Sequence, residues 1–291
     1  MISCIITTYK REPEILKRAI DSIKAQTYKD VEIIIVNDAP EEIELAKKIK
    51  AFIHEYDSEI KYIEHEKNMG ACVARNTGIS NSRGEYIAFL DDDDEWLSCK
   101  LEKQYNKIKS DNSSLVFSPY YSVDQYGTSK IINYDLDSIP GKNYFEKLLC
   151  FNYIGSTSFP LLRKSSVEEV GGFNLGLKSS QDHELWLKIA KKYEISYISE
   201  PLVKYYYSDS AITRSIDNRI QGHEYIHKEF ESEYRNNSFI LHYRYLFLTN
   251  TYFGAKNISQ GMRYWGKAFI LKPLSKDNLF VIKKILKKFF H

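Results

Sequence analysis

Residues 85–97 read Glu-Tyr-Ile-Ala-Phe-Leu-Asp-Asp-Asp-Asp-Glu-Trp-Leu. The apolar run Tyr86 to Leu90 has the unbroken character of a strand buried on both faces. It stops at four consecutive aspartates, Asp91 to Asp94. Carboxylates crowded in this way repel one another unless a cation neutralises them. Hard divalent ions take oxygen ligands, and Mg²⁺ typically combines one or two carboxylates with substrate phosphates. Two readings stand on these residues alone. One is a metal–phosphate site at the end of a strand. The other is a solvated acidic turn capping a helix that starts near Trp96, where an acid adds about 0.3–1 kcal/mol.

Outward from this stretch, two periodicities alternate. Ile2 to Thr8, Val31 to Val36, Ile60 to Ile63 and Glu85 to Leu90 read as strands. Glu12 to Gln26 carries Ile15, Leu16, Ala19, Ile20 and Ile23 at helical spacing, and Glu41 to Tyr56 and Ala71 to Ser80 are predicted helices. Such alternation predicts an α/β fold, a Rossmann-like, mostly parallel sheet flanked by helices. Ligands of these sheets bind outside the carboxyl ends of the strands. Thr7 to Arg11, Asn37-Asp38 and the aspartate run are expected to converge there. An Asp after a strand is also a common turn residue, and an Arg on a helix, such as Arg75, commonly faces solvent.

Further on, the pattern loosens. Leu115 to Tyr121, Ser158 to Leu162, Glu194 to Ser199 and Pro201 to Tyr207 are predicted strands. Gly171-Gly172-Phe173 is a turn, Gln181 to Lys192 a helix, and the chain from about Ile220 reads as helical. The expected division is 1–215, with halves 1–110 and 111–215, followed by a helical region 216–291.

The bulk numbers set limits. A chain of 291 residues with a formal net charge of +2 is not an electrostatic binder of nucleic acid. Its 27% charged and 43% hydrophobic content is that of a soluble globular protein. Cys4, Cys72, Cys99 and Cys150 show no CxxC spacing and no companion histidines, so reduced thiols are expected rather than a zinc site. The start MISCIITTYK lacks a signal peptide's basic region, and no apolar run reaches the length of a membrane span. A cytoplasmic protein is expected.

TTYKR, VNDAP, NMGACVARNTGI, GEYIAFLDDDDEW, GGF and SQDHELWLKIA occur in one order and spacing. Taken together they resemble glycosyltransferase family 2, over roughly residues 1 to 210. The resemblance implies the GT-A fold and an inverting enzyme that uses a nucleotide-sugar donor. It further implies that Thr7, Thr8, Tyr9 and Arg11 form the loop holding the nucleotide, together with Asn68. Asp38 would read the uracil ring, and Arg75 would face the nucleotide–sugar region. Asp91-Asp92-Asp93 fits the DXD motif, in which Asp93 would bind Mn²⁺ or Mg²⁺ while Asp91 and Asp92 contact ribose or sugar. Asp182 would be the general base; by position alone it also reads as part of a helix N-cap. Asp94 and Glu95 would be no more than a helix cap. Arg214 is expected to reach the diphosphate from a closing loop, or to lie on a plain surface loop.

The sequence departs from the family in two places: Ala39-Pro40 follow Asp38, and Gln181 stands where a Glu usually precedes the base. No segment reads QxxRW in full, which favours addition of one sugar at a time over processive synthesis. Two other classes remain open. A nucleotidyltransferase would want a glycine-rich basic loop after the first strand, which TTYKREPE is not. A non-catalytic sugar-nucleotide or metal-binding module would keep every acid. The expected partners are a UDP-sugar and a saccharide or lipid-linked saccharide acceptor.

The C-terminal stretch LKPLSKDNLFVIKKILKKFFH places Leu279, Ile282, Ile285, Leu286 and Phe289 at helical spacing among lysines. A basic amphipathic helix suits an anionic membrane surface. A helix docked on the core with its lysines in water fits the same residues.

Overall fold

A computed structural model of the chain describes residues 1–206, 215–275 and 278. The expected closing loop with Arg214 and the C-terminal lysine-rich stretch from 279 onward lie outside the described residues. The described residues of Met1–Tyr134, Ile154–Leu177 and Gln181–Asp209 form one compact unit, and those of Asp135–Tyr153, Lys178–Ser180 and Ser210–His291 a second.

The first unit opens with the predicted alternation: β1 (Ile2–Thr8), α1 (Pro13–Lys24), β2 (Val31–Asn37), α2 (Ile43–Tyr56), β3 (Lys61–Glu64), α3 (Ala71–Ser80) and β4 (Tyr86–Asp91). Pro13 starts α1 at a position where its missing N–H costs nothing. The side chains of β1, β2 and β4 are buried over most of their length on both faces, as expected of strands covered by helices on either side. Each fully buried Ile or Leu in this core contributes about 1.5–3 kcal/mol relative to exposure.

Next come β5 (Glu95–Trp96), α4 (Lys100–Ser110), β6 (Leu115–Phe117), β7 (Tyr120–Val123) and β8 (Ser129–Ile132). The helix α5 (Tyr144–Cys150) belongs to the second unit. The chain returns to the first with β9 (Leu161–Arg163), α6 (Lys164–Glu169), α7 (Gln181–Lys192), β10 (Ile195–Tyr197) and β11 (Val203–Tyr206).

The main sheet has seven strands in the order β10-β6-β9-β4-β1-β2-β3. All its pairings are parallel except those of β9, which runs antiparallel to β4 and β6. A second sheet has the order β5-β11-β7-β8.

β1 sits between β4 and β2, so the chain's winding reverses there, and this is where an open α/β sheet offers its crevice. The register brings the informative residues level. Thr7 is opposite Asp91, and Thr8 is opposite Asn37.

Two local expectations are corrected. No helix starts at Trp96: Glu95–Trp96 is a short strand paired antiparallel with β11, and α4 begins at Lys100. Leu115 to Tyr121 is not one strand. It breaks around Ser118-Pro119 into β6 and β7, which belong to different sheets. Pro119 has no N–H with which to continue the ladder.

The second unit's helices are α5, α8 (Ile216–Glu229), α9 (Glu231–Arg235), α10 (Ser238–Gly254) and α11 (Ile258–Leu271). α10 and α11 pack through Leu246 on Ala268, and through Leu248 and Tyr252 on Tyr264. The Tyr252 and Tyr264 hydroxyls each donate to Glu224 Oε1 at 2.7 Å.

Candidate active site

The acidic run begins at the last residue of β4 and continues into the turn after it, and its carboxylates are held by side chains from several elements. Arg11, from the loop between β1 and α1, donates from Nε to Asp92 Oδ1 at 3.1 Å and from Nη2 to Asp93 Oδ2 at 2.6 Å. Arg18, in the second turn of α1, donates to the Asp93 carbonyl and stacks 3.8 Å above the Tyr206 ring. Arg75 donates from Nη2 to Asp91 Oδ1 at 3.0 Å and from Nη1 to Gln181 Oε1 at 3.2 Å. Arg75 is therefore not a solvent-facing helix arginine. It links the acid run on β4 to the first residue of α7, and Asp182 is the next residue along.

A serine-rich turn, Ser156-Thr157-Ser158, fixes the run from the other side. Ser156 and Thr157 donate to Asp91 at 3.0 and 3.1 Å. Ser158 Oγ accepts the Asp91 N–H at 3.0 Å and donates to Asp94 Oδ2 at 2.6 Å. Asp94 is fully buried and also accepts the Tyr206 N–H at 3.2 Å. It is a structural carboxylate tying β4 to β11, not the helix cap that was expected. Glu95 pairs with Lys204 at 2.8 Å and accepts from the Tyr206 hydroxyl at 2.8 Å.

Burial sets the electrostatics of the run. It raises the Asp92 carboxyl to about 6, Asp93 adding to the rise and Arg11 opposing it. Asp93 is raised by burial and by Asp91, again against Arg11. Asp94 is raised well above the ordinary carboxylate range by burial and then by Asp91. Burial is the largest cause of each rise and the neighbouring carboxylates add to it; a cation bound beside them would oppose both effects.

Among the described residues no group of three or more His, Cys, Asp and Glu converges to hold a metal by itself. Mg²⁺ and its relatives are commonly held by one or two carboxylates with phosphate oxygens completing the shell. The Asp92–Asp93 pair fits that pattern, with the Arg11 guanidinium standing in the position of the neutralising cation.

The other expected residues fall along the same sheet edge. Thr8 is buried and Thr7 half-buried at the end of β1, while Tyr9 is exposed and its hydroxyl lies 3.4 Å from Glu41 Oε1. Asp38, just past β2, is buried with both oxygens engaged. Oδ1 accepts the Met69 N–H at 2.8 Å and lies 2.7 Å from His65 Nδ1, and Oδ2 accepts the Gly70 N–H at 2.7 Å. Gly70 has φ +88°, a conformation that glycine adopts without strain. Asp38 thus holds the loop that leads into α3, and Asn68 is exposed on that loop.

Asp182 lies in the first turn of α7, inside the helix rather than at its cap, and its Oδ1 accepts the His183 N–H at 2.7 Å. Burial raises its pKa, against the His183 N–H and Arg75. Gln181, where the family usually has Glu, holds Arg75 as a neutral acceptor and donates to the Leu177 carbonyl at 2.9 Å. The Gly171-Gly172-Phe173 turn is pinned by Asn76, which donates to the Phe173 carbonyl at 2.8 Å and accepts its N–H at 2.9 Å.

Sequence reasoning missed Ser156, Thr157, Ser158, Arg18 and His65. Isolated hydroxyl, arginine and imidazole side chains carry no spacing signal. Only the fold brings residues 156–158 under residue 91.

The sequence profile of Glycosyl transferase family 2 matches residues 3–171. An uncharacterized glycosyltransferase of Methanocaldococcus jannaschii, MJ1057, is 34% identical over 214 residues, 70% of each chain. An uncharacterized glycosyltransferase of Rickettsia felis is 29% identical over 86% of this chain, which spans only 42% of that relative. Among solved structures, S. aureus TarS 1-349 in complex with UDP-GlcNAc superposes with a TM-score of 0.67 at 14% identity, covering 93% of this chain and 81% of that one. The mannosyltransferase PcManGT from Pyrobaculum calidifontis, in complex with GDP-Man and Mn²⁺, superposes at 0.64 and 14% identity, covering 100% and 80%.

The fold is that of the GT-A glycosyltransferases. The chain belongs to glycosyltransferase family 2.

Proposed function

We propose that the chain moves a single sugar, with inversion, from a UDP-hexose or UDP-N-acetylhexosamine to a saccharide or lipid-linked saccharide acceptor, in the synthesis of a surface polysaccharide or glycoconjugate. The observation that carries this reading is the Arg75 bridge. One guanidinium touches Asp91 of the acid run and Gln181, the residue before Asp182. An inverting displacement needs negative charge accepted on one side of the sugar and a proton removed on the other, and the bridge keeps a candidate for each within reach of one guanidinium.

Residues 1–110 would hold the donor, and 111–215 would present the acceptor ahead of the helical region 216–291. Thr7, Thr8, Tyr9, Arg11, Asn68 and Arg75 would line the nucleotide-sugar site, with Asp91 and Asp92 on ribose or sugar. Asp38 would serve base recognition through the Asn68–Gly70 loop that it orders. Asp93 would hold Mn²⁺ or Mg²⁺, which when bound supplies neutralisation of the departing diphosphate. Arg11, released from Asp93, is positioned to accompany the diphosphate. Asp182 takes the proton of the attacking hydroxyl. Its raised pKa suits that role, because a base gains driving force as its pKa approaches the working pH.

The acceptor would be met at the inner face of the membrane, to which the lysine-rich C-terminus is drawn. Among the described residues no helix is long and apolar enough to cross a membrane.

Asp182→Asn keeps the side chain's shape and its acceptor oxygen for the His183 N–H while removing the base. Transfer is expected to fall about 10²–10⁴-fold, with the UDP-dependent rise in melting temperature unchanged. Near-normal turnover in that variant contradicts the assignment of Asp182.

A further inference from the structure

The second unit carries a surface that the transfer chemistry does not use. The buried side of α11 is made by Gly261, Tyr264 and Ala268. Its outer side carries apolar residues as well as polar ones. Ile258, Met262 and Phe269 are exposed at spacings of four and seven, Ile270 beside Phe269 is 78% exposed, and Leu274, in the turn just past the helix, is 94% exposed. A surface helix ordinarily turns such positions to polar residues. A contiguous exposed apolar stripe marks a contact surface.

The sequence that contains it is strongly basic. From Asn236 to His291 the chain has ten Lys and Arg and a single acid, Asp277, for a net +9. The first 235 residues therefore carry −7 of a chain total of +2. Arg263 is exposed on α11, Lys256 lies exposed just before it, and Lys267 is half-buried beside the stripe with its ammonium over the Tyr245 and Tyr264 rings.

We infer that the outer face of α11 is a docking surface for an anionic lipid bilayer. Ile258, Met262, Phe269, Ile270 and Leu274 enter the headgroup boundary, and Lys256, Arg263 and Lys267 meet the lipid phosphates. Apolar insertion flanked by cations is the composition of interfacial helices. A second copy paired face to face would set Arg263 and Lys267 against their own equivalents across a two-fold axis, and like charges disfavour that occupant. The C-terminal stretch with Lys283, Lys284, Lys287 and Lys288 brings the same sign and does not complement the face by charge either.

This inference deepens the membrane reading given above and rests on it. It does not depend on the donor or on Asp182.

The test is co-sedimentation of the full chain with vesicles of phosphatidylcholine alone and of phosphatidylcholine with phosphatidylglycerol. The wild-type chain is expected to pellet with the anionic vesicles only, and less as salt rises. The variant Ile270→Glu/Leu274→Glu, at sites too exposed to support the core, is expected to bind at least about tenfold more weakly. Tyr126→Glu, an exposed change in the first unit, should bind as wild type. If the α11 variant shifts the melting curve, Lys256→Glu/Arg263→Glu makes the same comparison through charge.

Wild-type binding in the α11 variants would overturn the inference and leave attachment to the C-terminal lysines. Absence of wild-type binding to anionic vesicles would overturn both, while a UDP-dependent melting shift would still support the donor site. A concentration-dependent dimer abolished by Ile270→Glu/Leu274→Glu would assign the face to a second copy instead.

Discussion

Ser158 shows how single side chains set this site. Its hydroxyl accepts the Asp91 N–H and donates to the buried Asp94 carboxylate, so one atom links the first residue of the acid run to the last. Ser158→Ala leaves Asp94 with the Tyr206 N–H but no hydroxyl donor. A buried carboxylate that loses such a partner costs about 1–3 kcal/mol. The variant is expected to melt several degrees lower and to need more Mn²⁺ for the same nucleotide-dependent shift. An unchanged melting temperature would mean that the hydroxyl is replaceable. Asp38 teaches the complementary lesson. Its position after β2 is legible in the sequence, but its partners are not. Three groups from His65 to Gly70 converge on it, and no spacing rule announces contacts 27 to 32 residues apart.

At the scale of elements, α4 contains an unusual cost. Lys100, its first residue, is fully buried. Its ammonium donates to Gln104 at 2.7 Å and lies 4.2 Å from the Trp96 ring centroid, with no ion pair to a carboxylate among the described residues. Burial lowers its pKa to about 7, Cys4 opposing slightly. The unfolded chain keeps the ordinary lysine value of about 10.4. Between the two values the unfolded state binds more protons, so this residue makes stability rise with pH from about 7 upward. Lys100→Met is expected to raise stability at pH 7 by a few kcal/mol and to flatten the rise between about pH 7 and 8.5, before thiols and phenols titrate. Denaturant midpoints across that window check it; parallel slopes for the two proteins would contradict it.

The same elements show what the sequence made legible. Residues 1–91 alternate cleanly because β1, β2 and β4 are buried on both faces while α1 and α2 are amphipathic, so the two periods separate. After β4 the strands shorten to two to four residues. Periodicity has nothing to count there, and tertiary pairing decides. Glu95–Trp96 is a strand because β11 lies beside it, and Pro119 divides what the apolar pattern joins.

For the whole molecule, charge is segregated along the chain. The acidic portion holds the acid run of the candidate site, and the basic portion holds α11 with its exposed apolar residues. Overall composition hid this, because +9 and −7 sum to the unremarkable +2. The central claim is that the acid run and the residues level with it on β1 and β2 bind a nucleotide diphosphate together with a divalent cation. The direct measurement is thermal unfolding with UDP, GDP, dTDP or CMP, each with and without Mn²⁺. Ligand at about 100 times its dissociation constant stabilises by roughly 2.7 kcal/mol, enough to move the midpoint by several degrees. The account predicts a shift with UDP that requires Mn²⁺ and disappears in Asp93→Ala. A shift that ignores Mn²⁺ or survives Asp93→Ala, or no shift with any nucleotide, would contradict it.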